Sequence, residues 1–346
     1  MARFSSRSLE FNHSYEVVDH FFEQGWTDGL PIIPPTPERV QAMLDYVKME
    51  PHHIVGGIPE RNRFISAEKI AINAVMAGCL PTYMPVVMAA MEAVLDPQFG
   101  VHGPTSSTGG ASILLIVNGP IIHQIGINTG KNLMAGGHRA NATIGRAIGL
   151  ILKNAGGSSQ FDQTTIGHPG KISFCIGEAE GAEWEPLHVE RGFKRSQSTV
   201  TAFASEGPHQ INNHVAHSPE GLLLSVADVM TDVATFHMQR STQSVVVFCP
   251  EHLDTLLEYG WNKSQVRQFL FEHARRKKSD YYRFGLQLQP IGEAEDEWIS
   301  AVPSPDDLLL LTGGGPAGRF SSFIPGWGSI SQTVAVTKQI HLSGFT

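Results

Sequence analysis

Apolar positions recur with helical spacing over residues 14–24 (SYEVVDHFFEQ), where Val17, Val18, Phe21 and Phe22 gather on one side. Gly25, Asp28-Gly29 and the series Pro31, Pro34, Pro35 and Pro37 then punctuate GWTDGLPIIPPTPERVQAMLDYV. That punctuation predicts an extended loop, followed by a helix with Thr36 as N-cap, Pro37 at its first position and Val47 near its end. From Phe64 the pattern becomes an alternation of helices and short, continuous apolar strands. A small-residue run (66–80) precedes a helix VVMAAMEAVLDP opened by Pro81 or Pro85. There follow the loop VHGPTSSTGG, the strand ASILLIVNGP, the helix ATIGRAIGLILKNAGG, the strand KISFCIGE and a closing loop, EWEPLHVERGF. The second half carries similar parts in the same order. VTAFASEG reads as a strand, and GPHQINNHVAHSPEG leads into a helix LLLSVADVMTDVATF. Then come a strand STQSVVVFCPEH, a helix SQVRQFLFEHARRKK, a strand DDLLLLTGGG and a closing loop AGRFSSFIPGWG.

Continuous β-branched runs bounded by Gly and Pro are the pattern of buried strands, and their alternation with helices predicts an α/β fold. The expected sheet is largely parallel, or there are two of them. Aligning Pro81 with Pro219 superposes the two halves and suggests an internal duplication. The predicted organisation is an N-terminal helical and Pro-rich arm (1–63), a first α/β half (64–195) and a second (196–346). Loops leaving strand carboxyl ends would then converge on a site between the halves.

Composition narrows the class. The chain has 346 residues, is 41% hydrophobic and only 17% charged, and holds 35 glycines, which suits a large interior with many tight loops. A net charge of −8 argues against nucleic-acid binding, which needs a basic face. The one basic run, Arg275-Arg276-Lys277-Lys278, reads as a solvated helix end. The N-terminus has no apolar signal core, and no stretch is long and apolar enough for a membrane span. Three cysteines, Cys79, Cys175 and Cys249, are too few for a disulfide framework and fit a reducing cytoplasm. Low charge beside ample apolar content favours a homo-oligomer.

The alignment of halves gives Cys79 a counterpart. AGCLP and AHSP place Cys79 and His217 each two residues before an aligned proline at a helix approach. A helix N-terminus stabilises a thiolate, and an imidazole opposite it would complete a Cys–His pair, with His209 as the alternative partner. Cys175 lies inside a strand and reads as core. Cys249 ends the strand VVVFC with His252 three residues on, and is a lesser candidate. His209, His214 and His217 could hold a divalent metal, although H-x4-H-x2-H is not a standard spacing. The loop with His102, Ser106 and Ser107 offers backbone amides to an anion or oxyanion but lacks the G-K-[ST] of a phosphate loop. Asn128, His138 and Arg139 crowd the approach to a helix and would suit an acidic group. Arg319 and Ser321 follow three glycines at a strand end, where backbone can approach a ligand closely.

The strings WTDGLPIIPPTPERV, AVMAGCLPTYMPVVMAAMEAVLD, EWEPLHVERGF and GRFSSFIPGWG span nearly the whole chain. They resemble a poorly characterised bacterial protein family associated with the thioredoxin-like UGSC-motif (seleno)proteins. This chain has no UGSC or C-x-x-C motif, so the resemblance implies a redox-active partner supplied by another chain. The leading expectation is a small-molecule hydrolase or lyase acting on an acidic or carbonyl-containing substrate, with a Cys/His-assisted site between the halves. The alternatives are a subunit of a heteromeric redox complex and a metal-dependent hydro-lyase built on the histidine loop.

Overall fold

Strands form where the apolar runs are continuous, and the runs are short because each strand crosses a layer only once. A computed structural model describes residues 4–158, 163–181, 183–240, 242–286 and 297–341. The helices are α1 (Ser14–Glu23), α2 (Pro37–Val47), α3 (Ala67–Ala77), α4 (Met84–Val94), α5 (Ile121–Ile125), α6 (Arg139–Asn154), α7 (Leu187–Glu190), α8 (Pro219–Val229), α9 (Phe236–Arg240), α10 (Pro250–Glu258), α11 (Lys263–His273) and α12 (Lys278–Arg283). The strands are β1 (Ile54–Ile58), β2 (Arg63–Ser66), β3 (Ser112–Asn118), β4 (Cys175–Gly177), β5 (Thr199–Ser205), β6 (His209–Asn212), β7 (Ser244–Phe248), β8 (Arg275–Lys277), β9 (Trp298–Ser300), β10 (Leu308–Thr312), β11 (Phe320–Pro325) and β12 (Val336–Gln339). The fold is α/β.

Two four-stranded sheets form the centre, in the orders β12-β5-β3-β4 and β6-β11-β7-β10. In each, the first pair of the half is parallel (β3 with β4, β7 with β10) and the other pairings are antiparallel. The sheets are therefore mixed, not largely parallel as the helix–strand alternation predicted. The two share strand order and direction. That equivalence is topological and does not by itself establish a duplication. The chain also exchanges strands: β5 completes the first sheet and runs on into β6 of the second, while β11 completes the second and runs on into β12 of the first. The boundary at 195/196 thus falls within the first sheet. Gly326 sits where the second exchange begins, bridged to Ser205, and a Cβ there would lie 2.0 Å from the Gln243 carbonyl oxygen.

Period-two burial then builds four layers. Leu115, Val117, Val200 and Ala202 face the core under α2, α3, α4 and α6. Leu114, Ile116 and Phe203 face Val245, Val247, Leu309 and Leu311 across the space between the sheets. Val246, Phe248, Leu308 and Leu310 face α8 and α11. The order is helices, sheet, sheet, helices, and each buried aliphatic side chain contributes roughly 1.5–3 kcal/mol of burial free energy.

Three local expectations are corrected. Arg275–Lys277 is strand β8, paired with β9, rather than a helix end; Arg275 and Lys277 sit over the Trp298 ring at 5.4 and 5.7 Å from its centroid. AGRFSSFIPGWG is not a closing loop, because Phe320–Pro325 is β11, an inner strand of the second sheet. LLLSVADVMTDVATF is one helix only to Val229. No helix among the described residues is long and apolar enough to cross a membrane.

Candidate functional site

At the carboxyl end of β7 a helix start, a glycine-rich loop and buried titratable side chains coincide. β7 is buried along its whole length and delivers Cys249 as the N-cap of α10, with Pro250 fixing the first helical position. One turn in, His252 is 1% exposed. Its Nδ1 lies 2.7 Å from Ser321 Oγ, and its Nε2 lies 3.0 Å from the Asn213 carbonyl oxygen. A carbonyl can only accept, so Nε2 carries the hydrogen and Nδ1 is left as acceptor for the Ser321 hydroxyl. The Cys249 amide donates to the same Ser321 Oγ at 3.1 Å. Burial is the largest influence on His252 and lowers its pKa; Arg319 and His214 push the same way, and the Asn213 carbonyl and Glu251 oppose them. The imidazole is held neutral, with a lone pair on a serine hydroxyl.

The strand β11 and its approach loop supply the other side. Gly318 and Arg319 donate their amides to the Glu251 carboxylate, and these two bonds hold its pKa below the usual range. Arg319 adopts φ 46°, left-handed and unfavourable for a residue with a Cβ. Its guanidinium donates to Thr255 Oγ1 at 2.7 Å and the Ala216 carbonyl at 3.0 Å, which pins the loop ahead of α8. Arg319 therefore braces the site instead of presenting free donors to a substrate acid group. The glycines 313–315 pass between Cys249 and the first half: Gly314 donates to the Thr129 carbonyl at 2.9 Å, and a Cβ on it would stand 4.0 Å from that of Cys249. The loop that follows α5 and the loop leaving β10 meet here.

A second polar cluster ties the same seam. Glu178, 2% exposed, accepts from Asn118 Nδ2 at 2.6 Å and the Leu187 amide at 2.8 Å, with Lys263 Nζ at 3.7 Å. Lys263 and a forked Arg267 both reach Glu190 from α11. Burial raises Glu178 to about 6 against the pull of Lys263.

The structure brings Arg319 and Ser321 together and disperses the other expected site residues. Cys79 follows the end of α3, not the start of a helix, and its thiol donates to the Thr143 carbonyl at 3.3 Å within the helix-side core. Burial pushes it up to about 12, so it is no thiolate at neutral pH. No hydrogen bond, ion pair or charge interaction among the described residues links it to His217, which is exposed beside the N-cap of α8. The Cys79–His217 pair is thereby corrected. His209 lies on β6 with Nδ1 3.9 Å from Asp232 Oδ2. His209, His214 and His217 do not converge, and no group of three His, Cys, Asp or Glu that could hold a metal occurs among the described residues.

His102, Ser106 and Ser107 lie at the other end of the first sheet, ahead of β3. There Ser106 Oγ donates to the His102 carbonyl at 2.7 Å, and Ser107 Oγ accepts from the Gly109 amide at 2.9 Å. Asn128 holds its own turn, accepting from the Gly130 amide and donating to the Lys131 carbonyl. His138 is an exposed N-cap of α6, and Arg139 forks onto the Gly78 carbonyl. The candidate residue that the sequence marks only weakly is His252. Its signal was Cys-Pro directly after a continuous strand, which marks a strand-to-helix turn, with the histidine one turn in. No protein family, curated protein or solved structure matches the chain.

Proposed function

We propose that the protein is a small-molecule hydrolase whose nucleophile is Ser321 and whose general base is His252, acting on a carbonyl-containing substrate. The observation that carries this reading is the 2.7 Å contact between Ser321 Oγ and the Nδ1 of a neutral, carbonyl-oriented imidazole. Ser321 Oγ bonds to the substrate carbonyl carbon as its proton passes to Nδ1. The proton then goes to the departing group, and a water molecule deprotonated by the same nitrogen releases the acyl group and restores Ser321. Cys249 contributes its backbone amide to Ser321 Oγ and its place at the start of α10.

A fluorophosphonate and p-nitrophenyl acetate test the assignment. The expected result is a single phosphonyl adduct mapped to Ser321, absent in Ser321→Ala and forming about 100-fold more slowly in His252→Gln. An adduct elsewhere, or equal rates in wild type and His252→Gln, sinks the reading.

A further inference from the structure

At the opposite end of the sheets, where the strands exchange, three buried side-chain nitrogens make no hydrogen bond of good geometry among the described residues. The loop 105–110 (TSSTGG) and the loop 166–171 (IGHPGK) lie side by side, joined by Thr165 N to the Thr108 carbonyl at 2.9 Å. Lys171 Nζ is buried from solvent and, among the described residues, has neither hydrogen bond nor ion pair. Its stem lies along Gly167, where a Cβ would stand 3.3 Å from Lys171 Cδ. His168 accepts the Gly170 amide at Nδ1 (3.2 Å), so its hydrogen is on Nε2. That nitrogen is buried without a partner at bonding geometry, although the Gly110 carbonyl lies near enough to favour protonation. Trp327, the second residue past β11, turns its Nε1–H toward Gly109, 3.1 Å from where a Cβ would sit, and this N–H is also unpaired. The adjoining residues 109 and 110 thus neighbour Trp327 and His168, and the adjoining residues 167 and 168 bring in Lys171.

All three unpaired atoms are donors. A buried polar atom without a partner costs free energy, and an unpaired ammonium costs most. Water could satisfy the N–H groups but would leave the charge uncompensated. An oxyanion does both. We propose that the loops 105–110 and 166–171 close over a small oxyanion, a carboxylate or a phosphate, held by the Lys171 ammonium, His168 Nε2–H and Trp327 Nε1–H. Burial lowers Lys171 to about 8, and an anion beside it would oppose that shift. Residues 109, 110, 167 and 170 are glycines and add no side chains of their own between the loops. The site is separate from Ser321 and independent of the hydrolase reading.

The full chain would be titrated at pH 7 with sodium phosphate and, separately, sodium acetate, against sodium chloride of equal ionic strength. At least one oxyanion is expected to raise the melting temperature saturably, and the arm that responds names the ligand class. Lys171→Met is expected to weaken that binding by about tenfold or more, while the unliganded variant melts no lower than wild type. Failure of both oxyanions to exceed chloride, or Lys171→Met binding as tightly as wild type, overturns the proposal. Should that variant not fold, nuclear magnetic resonance of isotope-labelled lysine in the wild type decides. The Lys171 ε-carbon must titrate at higher pH with the oxyanion present, and an unmoved titration overturns the proposal equally.

Discussion

Cys79 and Cys249 show how much a single residue's role depends on which side of a helix it occupies. The sequence gives both a neighbouring proline, and the same chemical argument, a thiol at a helix start, was available for each. Only Cys249 has that setting: it caps α10, whereas Cys79 follows the left-handed Gly78 that ends α3. The difference was hidden because Pro81 opens a short turn at 81–83 before α4 begins at Met84. Lys171 had no legible signal at all, since a lone lysine in GHPGK reads as a solvated loop until its surroundings are known. Cys79→Ser is expected to leave fluorophosphonate labelling of Ser321 unchanged. It should cost about 1–2 kcal/mol of stability, because a hydroxyl replaces a thiol in an apolar core and only one acceptor, Thr143 O, is at hand. Denaturant unfolding and the labelling rate check the two halves of that statement, and loss of labelling in a folded variant would return Cys79 to the chemistry.

At the scale of elements, long periodic segments were legible and exchanged strands were not. α1, α2, α4, α6, β3, β5, β7 and β10 follow directly from helical spacing or continuous apolar runs. β6, β11 and β12 escaped because HQIN, FSSFIP and VTKQ mix polar with apolar positions, and the first two also lie next to Pro, Gly or Asn. Ser321 and Ser322 occupy an inner strand since each hydroxyl has a designated partner, His252 and the His209 carbonyl. Strand exchange also makes the C-terminal segment structural. β12 pairs with β5 from Val336↔Ala202 to Gln339↔Thr199, and Lys338 reaches Asp96 at 2.6 Å. Removing residues 336–346 is expected to strip protection from the β5 amides that face β12 while leaving β10 and β7 protected. Hydrogen exchange resolved by residue reads this directly. Retained β5 protection would show that the pairing adds nothing to the first sheet.

For the whole molecule, the seam between the sheets holds both an apolar core and buried charge, and the two respond differently to pH. The face-to-face packing was not legible, since sequence halves suggested separate units while β5 and β12 join what the halves divide. Glu178 sits at this seam with a pKa raised by burial from 4.5 to about 6. Between those values the native state binds more protons than the unfolded chain, so its contribution is present at low pH and is lost as pH rises through 6. His237, buried against Thr242 and Ser244, is lowered from 6.5 to about 4 by burial. Its native form binds fewer protons over that window, so its contribution is present above 6.5 and is lost as pH falls toward 4. At ~1.4 kcal/mol per pKa unit, the two amount to about 2 and about 3 kcal/mol of opposite sign. They partly cancel between pH 4.5 and 6, which leaves the wild type with a shallow dependence there. Glu178→Gln removes one arm. Relative to wild type it should gain about 2 kcal/mol on going from pH 4.5 to pH 7, whatever fixed penalty the lost partner of Lys263 imposes, because that penalty is common to both conditions. His237→Asn should shift by about 3 kcal/mol, also in the sense set by its own titration, losing ground to wild type as pH rises from 4 to 7. Urea unfolding of the three proteins at matched ionic strength measures both differences. A Glu178→Gln curve parallel to wild type across this range would mean that the seam carboxylate titrates alike in the folded and unfolded chain.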